Sequence, residues 1–286
     1  MLLYNRIEFL KPDIEKLRAN GCTLFDMHFH SRYSDGISKV TAILKKAKRM
    51  GIGVSITDHN VIKGSLEASK YKDAQLIPGV EITSSEGIHT LLYFYKINDL
   101  KYFYNKHIAP NIIKNYFSFL RMGIVDLIDL SKEYNCLICA AHPYAIAWQG
   151  MCKPYHSKYI TKDVLNKIDI IEVITGSNLR KRNLKAVWLA DSLKKSISGG
   201  SDGHSIFELG KVLTYAKEVH DAGSFLDSIK NKKNSVIGKE TTLIYRSASQ
   251  SVKLRLPTKT PVPYIKKGIS YLKKKIQDSN YLMHNQ

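Results

Sequence analysis

Seven short apolar runs rich in β-branched and aromatic residues recur along the chain, and segments with helical spacing lie between several of them. The runs are TLFDM (23–27), IGVSIT (52–57), AQLIPGVEI (74–82), HTLLYFY (89–95), CLICAA (136–141), DIIEVIT (169–175) and SISGG (196–200). The helix-period segments are 39–50, 61–72, about 110–133, and 181–195, the last with apolar Leu184, Val187, Trp188 and Leu193 on a helical spacing. This alternation predicts an α/β fold in which crossover helices join parallel strands, and closing such a sheet gives a barrel. Barrels of this kind commonly run to about 250 residues as one domain. The 286-residue chain is therefore expected to form one domain over 1–246 and a compositionally distinct extension over 247–286.

Polar residues gather at or just past the C-terminal ends of the runs, the rim on which α/β barrels carry their active sites. His28 and His30 follow the first run, Asp58 and His59 the second, His142 the fifth, and Asp202 and His204 the seventh, while Glu81 sits in the third. His89 instead opens its run. A reversing turn over 82–88 would still bring it opposite Glu81 across a hairpin mouth.

The segment DMHFHSRYSDG (26–36) is the strongest of these motifs. Two histidines two apart in extended chain point to the same side and can chelate one ion. Asp35 and Gly36 follow in a turn, and TDH (57–59) follows the second run. Glu81, in PGVEI, is a carboxylate in an apolar strand, which costs free energy unless a cation or hydrogen bonds compensate. His142 in AAHPY and the pair Asp202 and His204 in GGSDGH repeat the pattern of a strand followed by a donor residue and a tight turn. Singly, each could be a hydrogen-bonded buried group or a loop residue. Nine N- and O-donor residues at strand ends are better explained by metal binding, and imidazole with carboxylate suits Mn or Zn, with Fe as a further fit.

DMHFHSRYSDG, ITDHN, IPGVE, the following His89, AHPY and GGSDGH resemble, in order and over about 23–210, the successive motifs of the polymerase and histidinol phosphatase (PHP) family. The resemblance implies a distorted (β/α)7 barrel with up to three divalent metal ions. Carried over motif by motif, it implies that His28, His30, Glu81 and Asp202 hold the first ion. Glu81 then bridges to a second ion held by His89 and His142, and Asp35, His59 and His204 hold the third. Asp26 and Asp58 precede ligand histidines and are expected to orient imidazoles. A metal-bridging water at Glu81 is the implied nucleophile, because clustered divalent ions lower the pKa of bound water and neutralise phosphoryl oxygens during in-line attack. At the start of the helix after the sixth run, Arg180, Lys181 and Arg182 are candidates for a substrate phosphate. The loop 145–159, with Trp148, Tyr155 and Tyr159, either borders the pocket and stacks on a base or is an ordinary packed loop.

Charge bears on partners. The chain has 44 Lys and Arg against 25 Asp and Glu, a formal net charge of +19, which favours anionic ligands without choosing among them. In 247–286 eight basic residues (Lys253, Arg255, Lys259, Lys266, Lys267, Lys273, Lys274, Lys275) face one acid, Asp278. There Ile265, Ile269, Leu272 and Ile276 mark a basic amphipathic helix over 264–277 that could dock on the barrel or touch nucleic acid, a partner or a membrane surface. Four cysteines form no disulfide-scaffold pattern, and Cys136 and Cys139 lie in a strand-like run that reads as packing; a reducing, cytoplasmic setting fits. The start lacks the apolar core and cleavage site of a secretory leader, and no run approaches the length of a membrane span. The expected activity is hydrolysis of a small phosphomonoester such as a nucleotide or sugar phosphate. A nuclease acting on single-stranded or short nucleic acid is the first alternative, and a non-catalytic, metal-stabilised binding module the second. A related amidohydrolase also carries H-x-H on its first strand, but the SDG, TDH and SDGH combination favours the phosphoesterase.

Overall fold

All seven apolar runs form strands, and three strands not anticipated from the sequence join them. The computed structural model describes residues 3–113, 119–145 and 149–241. In chain order the elements are β1 (Ile7–Glu8), α1 (Ile14–Ala19), β2 (Cys22–Phe29), α2 (Val40–Met50), β3 (Gly53–Ile56), α3 (Lys63–Ala68), β4 (Gly79–Thr83), β5 (His89–Phe94), α4 (Ile97–Phe103), α5 (Ile124–Ser131), β6 (Cys136–Ala140), α6 (Lys162–Lys167), β7 (Ile170–Thr175), α7 (Arg180–Ser192), β8 (Ser196–Gly200), β9 (Val212–Lys217), α8 (Ala222–Lys230) and β10 (Ser235–Gly238). Among the described residues of the helix expected over about 110–133, α-helix is found in α5, with a short 3-10 turn at Ala109–Asn111 before it. Pro110 and Gly123 account for this: proline lacks the donor a continuing helix needs, and glycine is a poor helix former.

The strands make a mixed α/β fold of two five-stranded sheets, ordered β1-β10-β9-β2-β3 and β4-β5-β6-β7-β8. A closed seven-stranded parallel barrel was expected; among the described residues no continuous ladder closes, and β4, β5 and β6 pair antiparallel. The reason lies in the edges of β2. One edge pairs with β3, and the first half of the other is taken by β9, from Cys22↔Lys217 to Phe25↔Thr214. The exit of β8 therefore reaches β2 only beyond that point, through the isolated bridge Phe29↔Gly203 and the bonds from Asp202 N to His28 O and His30 N to Gly203 O. On the far side, the bridges Val54↔Leu76 and His59↔Glu81 join β3 and its following loop to the β4 segment.

Side chains alternate along the strands of the second sheet as the two-residue period requires. Val80, Ile82, Leu92, Phe94, Ile138, Ala140, Ile171 and Val173 pack on one side, in a core shared with residues of α4, α5, α6 and α7. Leu91, Tyr93, Leu137, Cys139 and Ile170 face the other way and meet Phe25 and Met27 of β2 and Phe225, Leu226 and Ile229 of α8. This apolar plug underlies the site: His89 shares a face with Leu91 and Tyr93, and Glu172 shares one with Ile170. A third core packs Val40, Ile43, Leu44 and Ala47 of α2 against β2 and β3. The spacing of those residues is the helical stripe read from the sequence.

The apolar spacing of 181–195 is only partly a buried stripe. α7 buries Asn183, Ala186, Val187, Leu189 and Ala190, while Leu184 and Trp188 are 50% and 63% exposed. Cys136 and Cys139 are free thiols with separate partners, Ser131 O and Ser198 Oγ, in agreement with a packing role. No described helix is long and apolar enough to cross a membrane. The boundary at 246/247, the basic helix over 264–277 and Trp148 lie outside the described residues.

Candidate metal centre

Two glycines let the chain bring the donor residues together. A Cβ on Gly200 would stand 2.4 Å from the backbone N and the Cβ of His28, so β8 can approach β2 this closely only without a side chain there. A Cβ on Gly36 would stand 2.3 Å from His30 O, so the turn carrying Asp35 folds back on the histidine pair only with glycine. His142 and Asp202 have positive φ, 27° and 47°, a left-handed backbone that non-glycine residues rarely adopt. Such strain is typical of functional sites and costs about 1–3 kcal/mol per residue.

All nine sequence-predicted donors meet. They form four overlapping groups: His30 with Asp35, His59 and His204; His28 with His30 and Asp202; His28 with Glu81 and His142; and His59 with Glu81 and His89. Within each group the donor atoms lie within 4.8 Å of one another. Glu81 is the hub. Its Oε1 lies 2.9 Å from His89 Nδ1 and 3.1 Å from His142 Nε2. Its Oε2 lies 3.0 Å from His59 Nδ1, 3.3 Å from His28 Nε2 and 3.4 Å from His30 Nε2. The β4–β5 hairpin expected from the sequence provides the first of these contacts, with Thr83 opposite His89 and Glu81 opposite Leu91.

A cation fits this arrangement better than hydrogen bonding does. His28 Nδ1 lies 3.0 Å from Glu172 Oε1, which assigns its proton to Nδ1 and leaves the Nε2 lone pair facing inward. That lone pair faces Glu81 Oε2, Asp202 Oδ1 at 3.4 Å and His30 Nε2 at 3.1 Å, so electron pairs converge with no proton required between them. Glu81 Oε2 and His59 Nδ1 are buried and form no hydrogen bond, although they stand 3.0 Å apart. Ligand bonds of about 2.1 Å at tetrahedral or octahedral angles place donor atoms about 3.0–3.4 Å apart, the spacing found around Oε2.

The electrostatics agree. Burial, reinforced by His204 and His59, pushes His30 down to about 3, and burial pushes His89 down to about 4, so both imidazoles are neutral donors at ordinary pH. Burial would raise the carboxyl of Glu81, but His59, His89 and His28 hold it well below its usual range. Asp202 is held down in the same way by His28 and His30, and Asp35 by His204 and His59. Burial opposes a charge on His28, yet Glu172, Glu81 and Asp202 raise it well above the ordinary value: this spot calls for positive charge.

Several neighbours act differently from the sequence expectation. Asp26 and Asp58 make no hydrogen bond to an imidazole ring. Asp26 accepts from Ser201 N, Ser201 Oγ and Gly210 N, at 2.9, 2.6 and 2.9 Å, and so pins the β8 exit. Asp58 accepts from Ser31 N, Ser31 Oγ and Ser34 Oγ, each at 2.7 Å, and pins the loop between His30 and Asp35. Orientation of an imidazole falls instead to Glu172, which sequence reasoning missed: Oε1 meets His28, and Oε2 accepts from His142 N at 2.7 Å. Its signal was present, a carboxylate flanked by apolar residues on both sides within DIIEVIT, as Glu81 is in its own run. Ser177 Oγ donates to Asp202 Oδ2.

The expected phosphate ligands also separate. Arg180 is turned away into a two-pronged ion pair with Glu240, at 2.7 and 2.9 Å, with its guanidinium 4.3 Å from the Phe9 ring centre. Arg182 donates to Tyr144 O at 3.2 Å, and Lys181 is exposed beside Tyr144. Tyr159, on the expected pocket loop, is partly buried against the large core. Among the described residues the cluster is most open at Asp35, His59 and His204, whose side chains are 38%, 24% and 17% exposed, against 0% for His28, His30 and Glu81.

The PHP domain family profile matches residues 26–178, from the start of the first histidine motif to beyond Glu172, and a PHP-associated profile matches 180–234. The chain belongs to the PHP family. A PHP-length relative, the uncharacterised protein MJ1587 of Methanocaldococcus jannaschii, is 29% identical over 166 residues, 53% of this chain and 81% of that protein. Among solved structures, a two-domain Bacteroides vulgatus protein containing a predicted PHP-like metal-dependent phosphoesterase matches with a TM-score of 0.56 at 19% identity, over 81% of this chain and 68% of that one. Endonuclease Q, solved with a 27-mer duplex carrying an abasic lesion at its active site, matches with a TM-score of 0.60 at 21% identity, over 77% of this chain and 60% of that one. The fold is that of PHP-type metal-dependent phosphoesterases, a group with nuclease members.

Proposed function

We propose that this chain hydrolyses phosphate esters at a centre of up to three divalent ions, Mn or Zn in preference to Fe. The observation that carries the reading is Glu81, a buried carboxylate with five imidazole nitrogens of His28, His30, His59, His89 and His142 within 3.4 Å of its two oxygens. His28, His30, Glu81 and Asp202 would hold one ion, Glu81, His89 and His142 a second, and Asp35, His59 and His204 a third. When bound, such ions supply an activated water and neutralise charge on the phosphoryl group.

The residues of the chain supply the rest. Glu172 keeps the His28 proton on Nδ1, so that Nε2 remains a donor. Glu81 presents one oxygen to each half of the cluster, and the apolar plug beneath excludes water from that side. Asp35, His59 and His204 line the open mouth, so a phosphate ester meets them first. A small phosphomonoester suits a mouth open on one side, but the expected anchor Arg180 is committed to Glu240. A single-stranded nucleic acid is the second reading, supported by the +19 charge and by the cleft described below; endonuclease Q, alike in fold, holds a duplex. The test is metal content of the purified protein together with product release from monoesters, diesters and oligonucleotides; a metal-free preparation with full activity would sink the proposal.

A further inference from the structure

Beside the metal centre runs a shallow cleft lined by Tyr144, Lys181, Leu184, Lys185 and Trp188. One of its walls, Tyr144, follows His142 by two residues, at most about 7 Å of extended chain. Arg182 ties it to α7 through its bond to Tyr144 O, and Ala145 N donates to His142 O at 2.8 Å. Lys181 and Lys185 stand one helical turn apart, as do Leu184 and Trp188, so α7 displays a cationic stripe next to an apolar, aromatic one. Like charges one turn apart repel, and an indole 63% exposed keeps water on apolar surface. Neither helps the isolated fold. Lys185 Nζ lies 5.9 Å from the Tyr144 ring centre. No carboxylate is among the described lining residues.

We propose that this cleft binds single-stranded nucleic acid, with bases stacked on Trp188 and Tyr144 and phosphates against Lys181 and Lys185, and leads the strand to the metal centre. The inference rests on the phosphoesterase reading and names its substrate class. Aromatic faces interleaved with cations are what a flexible polyanion with stackable bases requires. The sequence argues against the chain's own extension as occupant, since 247–286 carries eight basic residues against one acid and would meet like charge.

The experiment uses the full chain in EDTA, which prevents cleavage, and follows the anisotropy of a fluorescein-labelled dT12 at 50 and 200 mM salt. Trp188→Ala is expected to raise Kd by about 5- to 150-fold, the effect of losing one base–aromatic stack. Lys181→Glu with Lys185→Glu is expected to weaken binding at 50 mM and to reduce the slope of log K against log salt by about 1.4, for two phosphate contacts on a single strand. These side chains are exposed, and circular dichroism confirms folding of each variant. Wild-type affinity in both variants overturns the proposal. So does a change of oligomeric state on Trp188→Ala with dT12 binding intact, which would assign the face to a second copy of the chain. Hydrolysis of bis(p-nitrophenyl) phosphate, too small to span the cleft, reports on the metal centre alone. Its absence in the wild type would remove the phosphoesterase reading while the binding result stands on its own.

Discussion

Glu172→Gln isolates the orientation of His28 from the donor set itself. The carboxylate serves two donors, His28 Nδ1–H at 3.0 Å and His142 N–H at 2.7 Å. A glutamine of the same shape has one acceptor and one donor end. The backbone N–H of His142 cannot change its role, so the amide oxygen turns to it and the amide nitrogen faces His28 Nδ1. The imidazole then moves its proton to Nε2, where it covers the lone pair aimed into the cluster. Ligation requires the original tautomer and two donors opposed in a buried place, a cost of about 1–3 kcal/mol. That corresponds to about 5- to 150-fold in metal affinity, overlapping the 10- to 100-fold typical of groups that hold metal-binding histidines. Competition with a chelator of known affinity measures the shift. Activity against free metal should move to higher concentration by the same factor and recover at saturation. Affinity within twofold of the wild type would refute the tautomer argument.

Glu81→Gln should lower turnover by more than about 100-fold, above the usual scale of effects behind the ligands, while circular dichroism remains native; near-normal turnover with metals bound would reject Glu81 as the hub. Chelation should abolish activity, and re-addition of Mn or Zn should restore it. Arg180→Ala should cost about 1 kcal/mol or less, since the pair with Glu240 is partly exposed, and leave KM unchanged; a tenfold rise in KM would return Arg180 to the substrate. Gly200→Ala forces a methyl against the His28 backbone and should cost about 1–3 kcal/mol, a fall in Tm of about 2–4 °C per kcal/mol for a domain of this size. A wild-type Tm and metal content would show that β8 can withdraw freely.

The donors were legible because all but Glu81 sit at or near a strand end beside a turn, and Glu81 is a lone carboxylate in an apolar strand, both patterns that depend on local chain alone. Glu172 carried the same local sign as Glu81 but no motif beside it, and its role follows from a contact 144 residues away. Asp26 and Asp58 were misread for a related reason: proximity in sequence to a histidine suggested an imidazole partner, whereas the nearest unsatisfied donors were loop amides and hydroxyls. The run VLTYAK of β9 is rich in β-formers but lacks a two-residue alternation. That it inserts between β2 and β10 and leaves the sheet open depends on edge competition, which no local pattern encodes. Leu184 and Trp188 show the converse, an apolar spacing that α7 leaves exposed while Ala186, Val187, Leu189 and Ala190 face the core.

The dependence of β2 on both β9 and the β8 exit has a consequence for how the protein is made. His28 and Asp202 are separated by 174 residues of synthesis. At about 5–20 residues per second the nascent chain spends about 9–35 s with one side of β2 unpaired. An apolar strand with an open edge is a template for association with other chains. Until the β8–β9 segment leaves the ribosome, the first donor set lacks Asp202 and the third lacks His204, and the sheet that carries them is unfinished. Metal acquisition is thereby timed by the arrival of Asp202, and a chain interrupted before β9 should be cleared as an aggregation-prone intermediate rather than accumulate as a half-loaded enzyme.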